Sequence, residues 1–225
     1  EGAVGWPVHE VGRNADIFDP EAGRLLKAGS SIIYQGAHLH SGGQDVKSKL
    51  LFGFKLHPKG YKPARRSTLR NLGNGLDIDI KPMEANQQLH AYLVLQQPTK
   101  IATFEPHLHA PGQRMCIEAI WGLNIQTLTC AGYDHNWVRQ YEYDDDHAPL
   151  LPRGTIVHII GYMDNTPNNK NIPDPRNWQG SGNRSIANMF IDLGQSVPLT
   201  DDEFQAEMAR RRERLGANRP DVIIG

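Results

Sequence analysis

The stretch Cys116-Ile117-Glu118-Ala119-Ile120-Trp121-Gly122-Leu123-Asn124-Ile125-Gln126-Thr127-Leu128-Thr129-Cys130 decides the fold. Two runs rich in β-branched and apolar residues flank Gly-Leu-Asn, the pattern of an antiparallel hairpin. A three-residue loop pairs Trp121 with Ile125, and counting back places Cys116 opposite Cys130. A non-hydrogen-bonded antiparallel pair brings two β-carbons close enough to bridge. A disulfide is therefore expected, with two unrelated free thiols as the alternative. The chain has 2 cysteines in all, and a bridge between them implies an oxidising compartment, periplasmic or secreted.

Outward from the hairpin, the rest of the chain reads as strands and turns. With 22 Gly and 15 Pro in 225 residues, the composition fits an all-β protein of one large or two small domains. Short strands are expected at Ser30–Gln35, Lys49–Leu56, Leu76–Ile80, Gln88–Leu95, Ile101–Phe104, Trp137–Tyr143, Thr155–Tyr162 and Ser185–Leu193. On the Gln88–Leu95 strand, His90, Tyr92 and Val94 share one face. The loop from Asp164 to Gly182 is long enough that it must be functional or tied down, and its Asp164-Asn165 segment suits side-chain amides holding backbone.

One helix is expected, Thr200 to Leu215, opened by a Thr200/Glu203 capping box. Phe204, Met208, Arg211 and Leu215 share one face. The arginines at positions 210, 211, 212 and 214 suit the negative helix end. They read as a solvated face, because no wider basic surface points to nucleic acid. A formal net charge of −1 implies neither a polyanion nor a membrane surface as partner. No apolar run is long enough to span a bilayer, and no secretory signal is visible.

The chemistry concentrates in Phe104-Glu105-Pro106-His107-Leu108-His109-Ala110-Pro111-Gly112. Histidines one residue apart on a strand point to the same face. Two imidazoles together suit copper, zinc, iron or nickel. The alternative is two surface histidines in a turn, since 10 histidines make one such spacing unsurprising. Met189 alone reads as core. A thioether added to two imidazoles shifts the preference to copper, because it is a soft ligand for Cu(I).

Together with Ile101–Gly112, several spaced motifs carry a resemblance: Tyr133-Asp134-His135-Asn136-Trp137 with Tyr141, Leu151-Pro152-Arg153-Gly154-Thr155, Asp164-Asn165-Thr166 with Asn168-Asn169, Pro173-Asp174-Pro175, and Asn188-Met189. Upstream, Gly12-Arg13-Asn14, Leu26-Lys27-Ala28-Gly29-Ser30, Tyr34-Gln35 and His38 extend it. The set resembles the copper type II, ascorbate-dependent monooxygenases, which include peptidylglycine α-hydroxylating and dopamine β-monooxygenases, and is most similar to their bacterial members. It covers most of residues 5 to 195.

The resemblance implies two antiparallel, jelly-roll-like β-sandwich domains. Residues 1–75 would be the C-terminal part of the first, 76–197 the copper-binding, catalytic-type second, and 198–225 a helical tail. It implies copper as cofactor, held by His107, His109 and Met189, and a small-molecule substrate and an electron donor as partners. His38, with His40 as rival, would be one of three histidines on a second, electron-relaying copper. The family's other two relay histidines fall upstream of the positions in this sequence. Where the peptide-hydroxylating enzyme holds its substrate, this chain has Glu105, Ile191 and Leu193, so peptide amidation is not implied. Glu105, Tyr133 and His135 could instead support the ligands, with Glu105 and His135 as plain surface residues the alternative. Two functions follow: a copper-dependent monooxygenase hydroxylating a C–H bond with O2, or a non-catalytic copper-binding subunit of a larger extracytoplasmic assembly. An extracellular carbohydrate-binding or hydrolytic sandwich ranks third, since Asp144-Asp145-Asp146 looks only like a solvated turn.

Overall fold

The computed structural model describes residues 6, 9–33, 43–182 and 186–216. His38 and His40 lie outside the described residues. The strands, in chain order, begin with β1 (Ala22–Gly23), β2 (Arg65–Arg66), β3 (Thr68–Leu69), β4 (Leu72–Gly73) and β5 (Gln87–Val94). They continue with β6 (Thr99–Ile101), β7 (Thr103–Phe104), β8 (Pro106–His109), β9 (Gly112–Trp121) and β10 (Asn124–Gly132). The last are β11 (Tyr141–Glu142), β12 (Leu150–Leu151), β13 (Ile156–Met163), β14 (Asn188–Asp192) and β15 (Gln195–Pro198), before helix α1 (Asp201–Leu215). The fold is all-β and sandwich-type with one C-terminal helix, as its turn-rich composition and alternating strands require.

An antiparallel sheet in the order β10-β9-β13-β5 forms one layer. Its inward residues, among them Met115, Ile117, Val157 and Ile159, join one core with Leu108 of β8 and Phe190 of β14. Each such side chain contributes about 1.5–3 kcal/mol by leaving water. The facing layer is made of short strands, β4-β14-β8 and β12-β6-β15-β3. The two layers approach so closely at Gly161 that a β-carbon there would sit 2.7 Å from the Phe190 ring. Only glycine lets β13 pass over that ring without pushing β14 aside.

Cys116 and Cys130 are disulfide-bonded, but the route to their pairing differs from the expected one. Asn124 pairs with Trp121, so the hairpin loop is two residues rather than three. Gly122 supplies the positive φ of 59° that a type II′ turn needs at its first central position. This slips the register by one, and an irregularity between Thr127 and Thr129 restores it, so that Cys130 meets Cys116. An extra residue on one strand is what a β-bulge inserts.

Other expectations are corrected. Lys49–Leu56 forms no strand, and Leu50, Leu51, Phe52, Phe54 and Leu56 stand exposed. Alternation makes a strand only where a partner edge is present, and none pairs with this segment among the described residues. Residues 30–33 likewise form none. The Leu76–Ile80 strand reduces to one bridge, Ile80 with Gln179, and the Trp137–Tyr143 strand to β11.

Helix α1 has the capping box: Thr200 Oγ1 accepts from the Glu203 amide and Glu203 Oε2 from the Thr200 amide. Phe204 and Met208 pack on Leu150, Val197 and Leu199. Its arginines are not all solvated. Arg210 and Arg214 pair with Asp146 at 2.9 Å, and Arg211 donates to the Ala148 carbonyl. Burial alone would raise the Glu207 carboxyl, but hydrogen bonds from Arg210 and Arg211 outweigh it and hold the group down at about 2. Among the described residues no helix is long and apolar enough to cross a membrane.

One buried carboxylate ties the short-stranded sheets of the facing layer to each other. Asp192 Oδ1 accepts from the amides of Glu105 and Gly194, at 3.0 and 2.8 Å, and Oδ2 accepts from Arg70 Nε at 2.6 Å. Arg70 also donates to the Thr103 carbonyl at 2.7 Å and to Ser196 Oγ at 2.9 Å. Removing one member of a buried ion pair leaves the other charge uncompensated. Asp192→Ala is expected to lower the unfolding free energy by about 3–5 kcal/mol in urea titration; a loss below about 1 kcal/mol, within the range of an exposed pair, would show that the clamp is not structural.

Candidate metal centre on strand β8

Strand β8 carries His107 and His109, and β14 lies antiparallel beside it. Ile191 pairs with His107 and Asn188 with His109, with a register irregularity between them. Two residues of β14, Met189 and Phe190, therefore span the place of one, Leu108. Such bulges re-aim side chains beside functional sites. Phe190 fills the core and is fully buried, whereas Met189 is only half-buried and is not among the core side chains. The fold thus brings Met189 beside the strand of the two histidines, next in sequence to the partner of His109.

Both imidazoles are 7% exposed, which removes the reading of two surface histidines in a turn. Their ring centroids are 4.8 Å apart with planes at 67°. His109 ends the strand at φ 65°, a left-handed conformation uncommon for a non-glycine residue and frequent where a turn re-aims a functional side chain. Two contacts hold it. The His109 amide donates to the Tyr133 hydroxyl at 3.2 Å. Asn169 of the long loop donates its amide to the Ala110 carbonyl at 3.0 Å and to the Asp164 carbonyl at 2.9 Å. The Asp164 amide in turn donates to the Pro111 carbonyl at 2.8 Å. Asn165 donates to the carbonyls of Lys81 and Asn177. The loop is tied down by side-chain amides, as its composition suggests, and it fastens the turn that follows the histidines.

An N-terminal strap covers the site from the other side. Glu10 and Arg13 exchange backbone hydrogen bonds at 3.0 and 2.9 Å. Glu10 Oε1 lies 2.8 Å from His107 Nδ1, a close approach without the alignment of a hydrogen bond. A carboxylate there favours the proton on Nδ1 and leaves the Nε2 lone pair for a metal. Arg13 donates to Glu105 Oε1 and to Asp16 Oδ1, both at 2.5 Å, and His9 reaches Asp16 Oδ2 at 2.8 Å. Glu105 is fully buried, not a surface carboxylate. Burial pushes its carboxyl up, to about 8, against the pull of Arg13 and with the push of Glu10 and Asp192.

Tyr133 and His135 both lie near His109. Burial pushes the Tyr133 phenol up to about 12, partly offset by the hydrogen bond from the His109 amide. The half-buried His135 ring lies 6.2 Å from that of His109. Beside them opens a cleft of about 370 Å³, bounded by Pro106, Tyr133, Asp134, Trp137, Arg139 and Tyr141. Ile191 is half-buried and Leu193 is buried and apolar, so neither offers a polar substrate contact. Glu10 gave no signal in the sequence, because its meeting with His107 depends on where the strap crosses the sheet.

Among the described residues no group of three His, Cys, Asp or Glu side chains could hold a metal ion. A site of two imidazoles and one thioether contains only two such side chains. Comparison with known proteins does not add to this geometry. No family model matches the chain, and no curated protein matches it. A chain of the T13 IBDV viral particle is similar in structure at a TM-score of 0.31, with 9% identity over 68% of this chain and 36% of that one. This chain thus spans about a third of that one's length, and a likeness of this size supports neither a fold family nor a function.

The role of Glu10 can be read directly. In ¹⁵N-resolved spectra His107 is expected to populate the Nδ1–H tautomer, and Glu10→Ala to shift it toward Nε2–H. An unchanged tautomer in the variant would mean that Glu10 does not orient the ring.

Proposed function

We propose that this protein binds copper through His107, His109 and Met189 and acts as a monooxygenase-like oxidoreductase. The observation that supports it most is the β8–β14 pairing, which brings Met189 next to the strand of two buried histidines whose end is fixed by Tyr133 and Asn169. Two nitrogens and a soft sulfur suit copper in both common oxidation states. Copper bound there would supply the redox centre for O2 activation and C–H hydroxylation.

The chain's own residues do the rest. Glu10 sets the His107 tautomer, and Tyr133 holds the backbone of His109. The cleft beside them, with Trp137, Tyr141 and Arg139 on its walls, is the space for a small substrate with an apolar body and a polar or anionic end. The Cys116–Cys130 bond fits an oxidising compartment, periplasmic or secreted, where an external reductant is the electron donor.

A second reading rests on Glu105 and Leu193. At two of the three positions that hold substrate in the peptide-hydroxylating enzymes, this chain has a carboxylate consumed by Arg13 and a buried leucine. That favours a non-catalytic copper-binding subunit of a larger assembly. Copper analysis and oxygen uptake with ascorbate separate the two. His107→Ala is expected to hold one copper equivalent fewer than the unaltered protein, and ascorbate-driven O2 uptake should fall to background in that variant. Copper held without O2 uptake selects the subunit; copper content unchanged in His107→Ala overturns the site.

A further inference from the structure

The outer face of the β10-β9-β13-β5 sheet carries a second histidine pair. The register sets Thr127, Glu118, His158 and Tyr92 in one row across four strands, with His90 diagonal to His158. The row is joined by polar contacts. Thr127 Oγ1 donates to Glu118 Oε1 at 3.2 Å, Glu118 Oε2 meets His158 Nδ1 at 3.1 Å, and His158 Nε2 faces His90 Nδ1 at 2.9 Å. Tyr92 stacks on His158 with ring centroids 4.3 Å apart. His158 is 7% exposed whereas His90 is exposed, so one imidazole is fixed and the other opens to solvent.

We propose that His90 and His158 form a binding site for a divalent transition-metal ion, with Glu118 as the carboxylate that orients His158. Two ring nitrogens this close share either a single proton or a cation between them. Glu118 on Nδ1 directs the His158 Nε2 lone pair outward, the carboxylate–histidine arrangement of metal sites. With metal–nitrogen bonds of about 2.0–2.1 Å, nitrogens at that separation subtend about 90°. That is the cis angle of a tetragonal or octahedral site, which selects Cu²⁺ or Ni²⁺ over tetrahedral Zn²⁺. Water completes the shell on the exposed His90 side. Burial, and then the neighbouring His158, lower the His90 pKa, which favours the neutral, ligating form of that exposed ring.

The pair lies on a different sheet from His107 and His109 and uses none of their residues, so it is tested with that site removed. CuCl2 is titrated into the His107→Ala/His109→Ala chain and followed by electron paramagnetic resonance. One Cu²⁺ with coupling to two imidazole nitrogens is expected, abolished by adding His90→Ala and weakened about 10–100-fold by Glu118→Gln. His90 is exposed, so its truncation leaves the sheet intact. Should the double variant not fold, NiCl2 added to the unaltered chain serves: amides of β5 and β13 should broaden, and should not in His90→Ala. Copper uptake or nickel broadening unchanged by His90→Ala overturns the site, as does a spectrum without two-imidazole coupling. None of these outcomes depends on whether His107 binds copper.

Discussion

The buried carboxylate of Asp192 is the constraint on which the arrangement turns. Its two oxygens accept from the start of β8, from the turn after β14 and from Arg70, which itself reaches the Thr103 carbonyl and Ser196. Without that clamp, only backbone hydrogen bonds, among them the Leu193 amide to the Glu105 carbonyl at 3.0 Å, would fix β14 against β8 at the end away from the bulge. The pairing of Asp192 with Pro106 and of Ile191 with His107 would be held by short ladders alone. Two- to five-residue strands have few hydrogen bonds to set their register, and a slip of one residue would turn the histidine face toward the core.

The same device recurs under the N-terminal strap. Arg13 is buried between Glu105 and Asp16, and Lys100 between Asp19 and Asp145. Buried pairs of this kind contribute little net stability, because desolvation offsets most of the attraction. What they supply is discrimination, since an unpaired buried charge is costly in any other arrangement. In this fold the Arg13 pairs hold the strap against Glu105, next to β8, and the Lys100 pairs hold Asp19 and Asp145 against β6.

How much of this was legible in the sequence depends on the range of the interaction. Gln87–Val94, Ile156–Met163, the Cys hairpin and helix α1 were readable because alternation, turn residues and capping act within about ten positions. The cysteine pairing was legible even though the loop length was misjudged, because the bulge near Leu128 cancels the shorter turn. Lys49–Leu56 was misread because its alternation specifies a face but not a partner. At the β8 site, His107 and His109 were visible by spacing. Met189 became a candidate only through resemblance, and Glu10 and the Arg70–Asp192 clamp were invisible. These meet their partners from 97 and 122 positions away, a distance over which no local pattern carries information.

The two histidine clusters show what decides whether a pair can become a site. His107 and His109 follow one another on a strand, so their shared face is dictated by the period of the β-strand, but their orientation depends on a distant glutamate. His90 and His158 are 68 positions apart and meet only through strand pairing, yet their orienting carboxylate, Glu118, is the direct cross-strand neighbour of His158. In the first case the histidines are local and the carboxylate remote; in the second the partner histidine and the carboxylate both arrive through strand pairing, from 68 and 40 positions away. A cluster preorganised by a long sheet is the more rigid, because the ladders of β9, β13 and β5 run through eight or more residues each. One covered by a strap is held by buried charge instead, because moving residues 9–16 would part Arg13 from the fully buried Glu105 as well as Glu10 from His107.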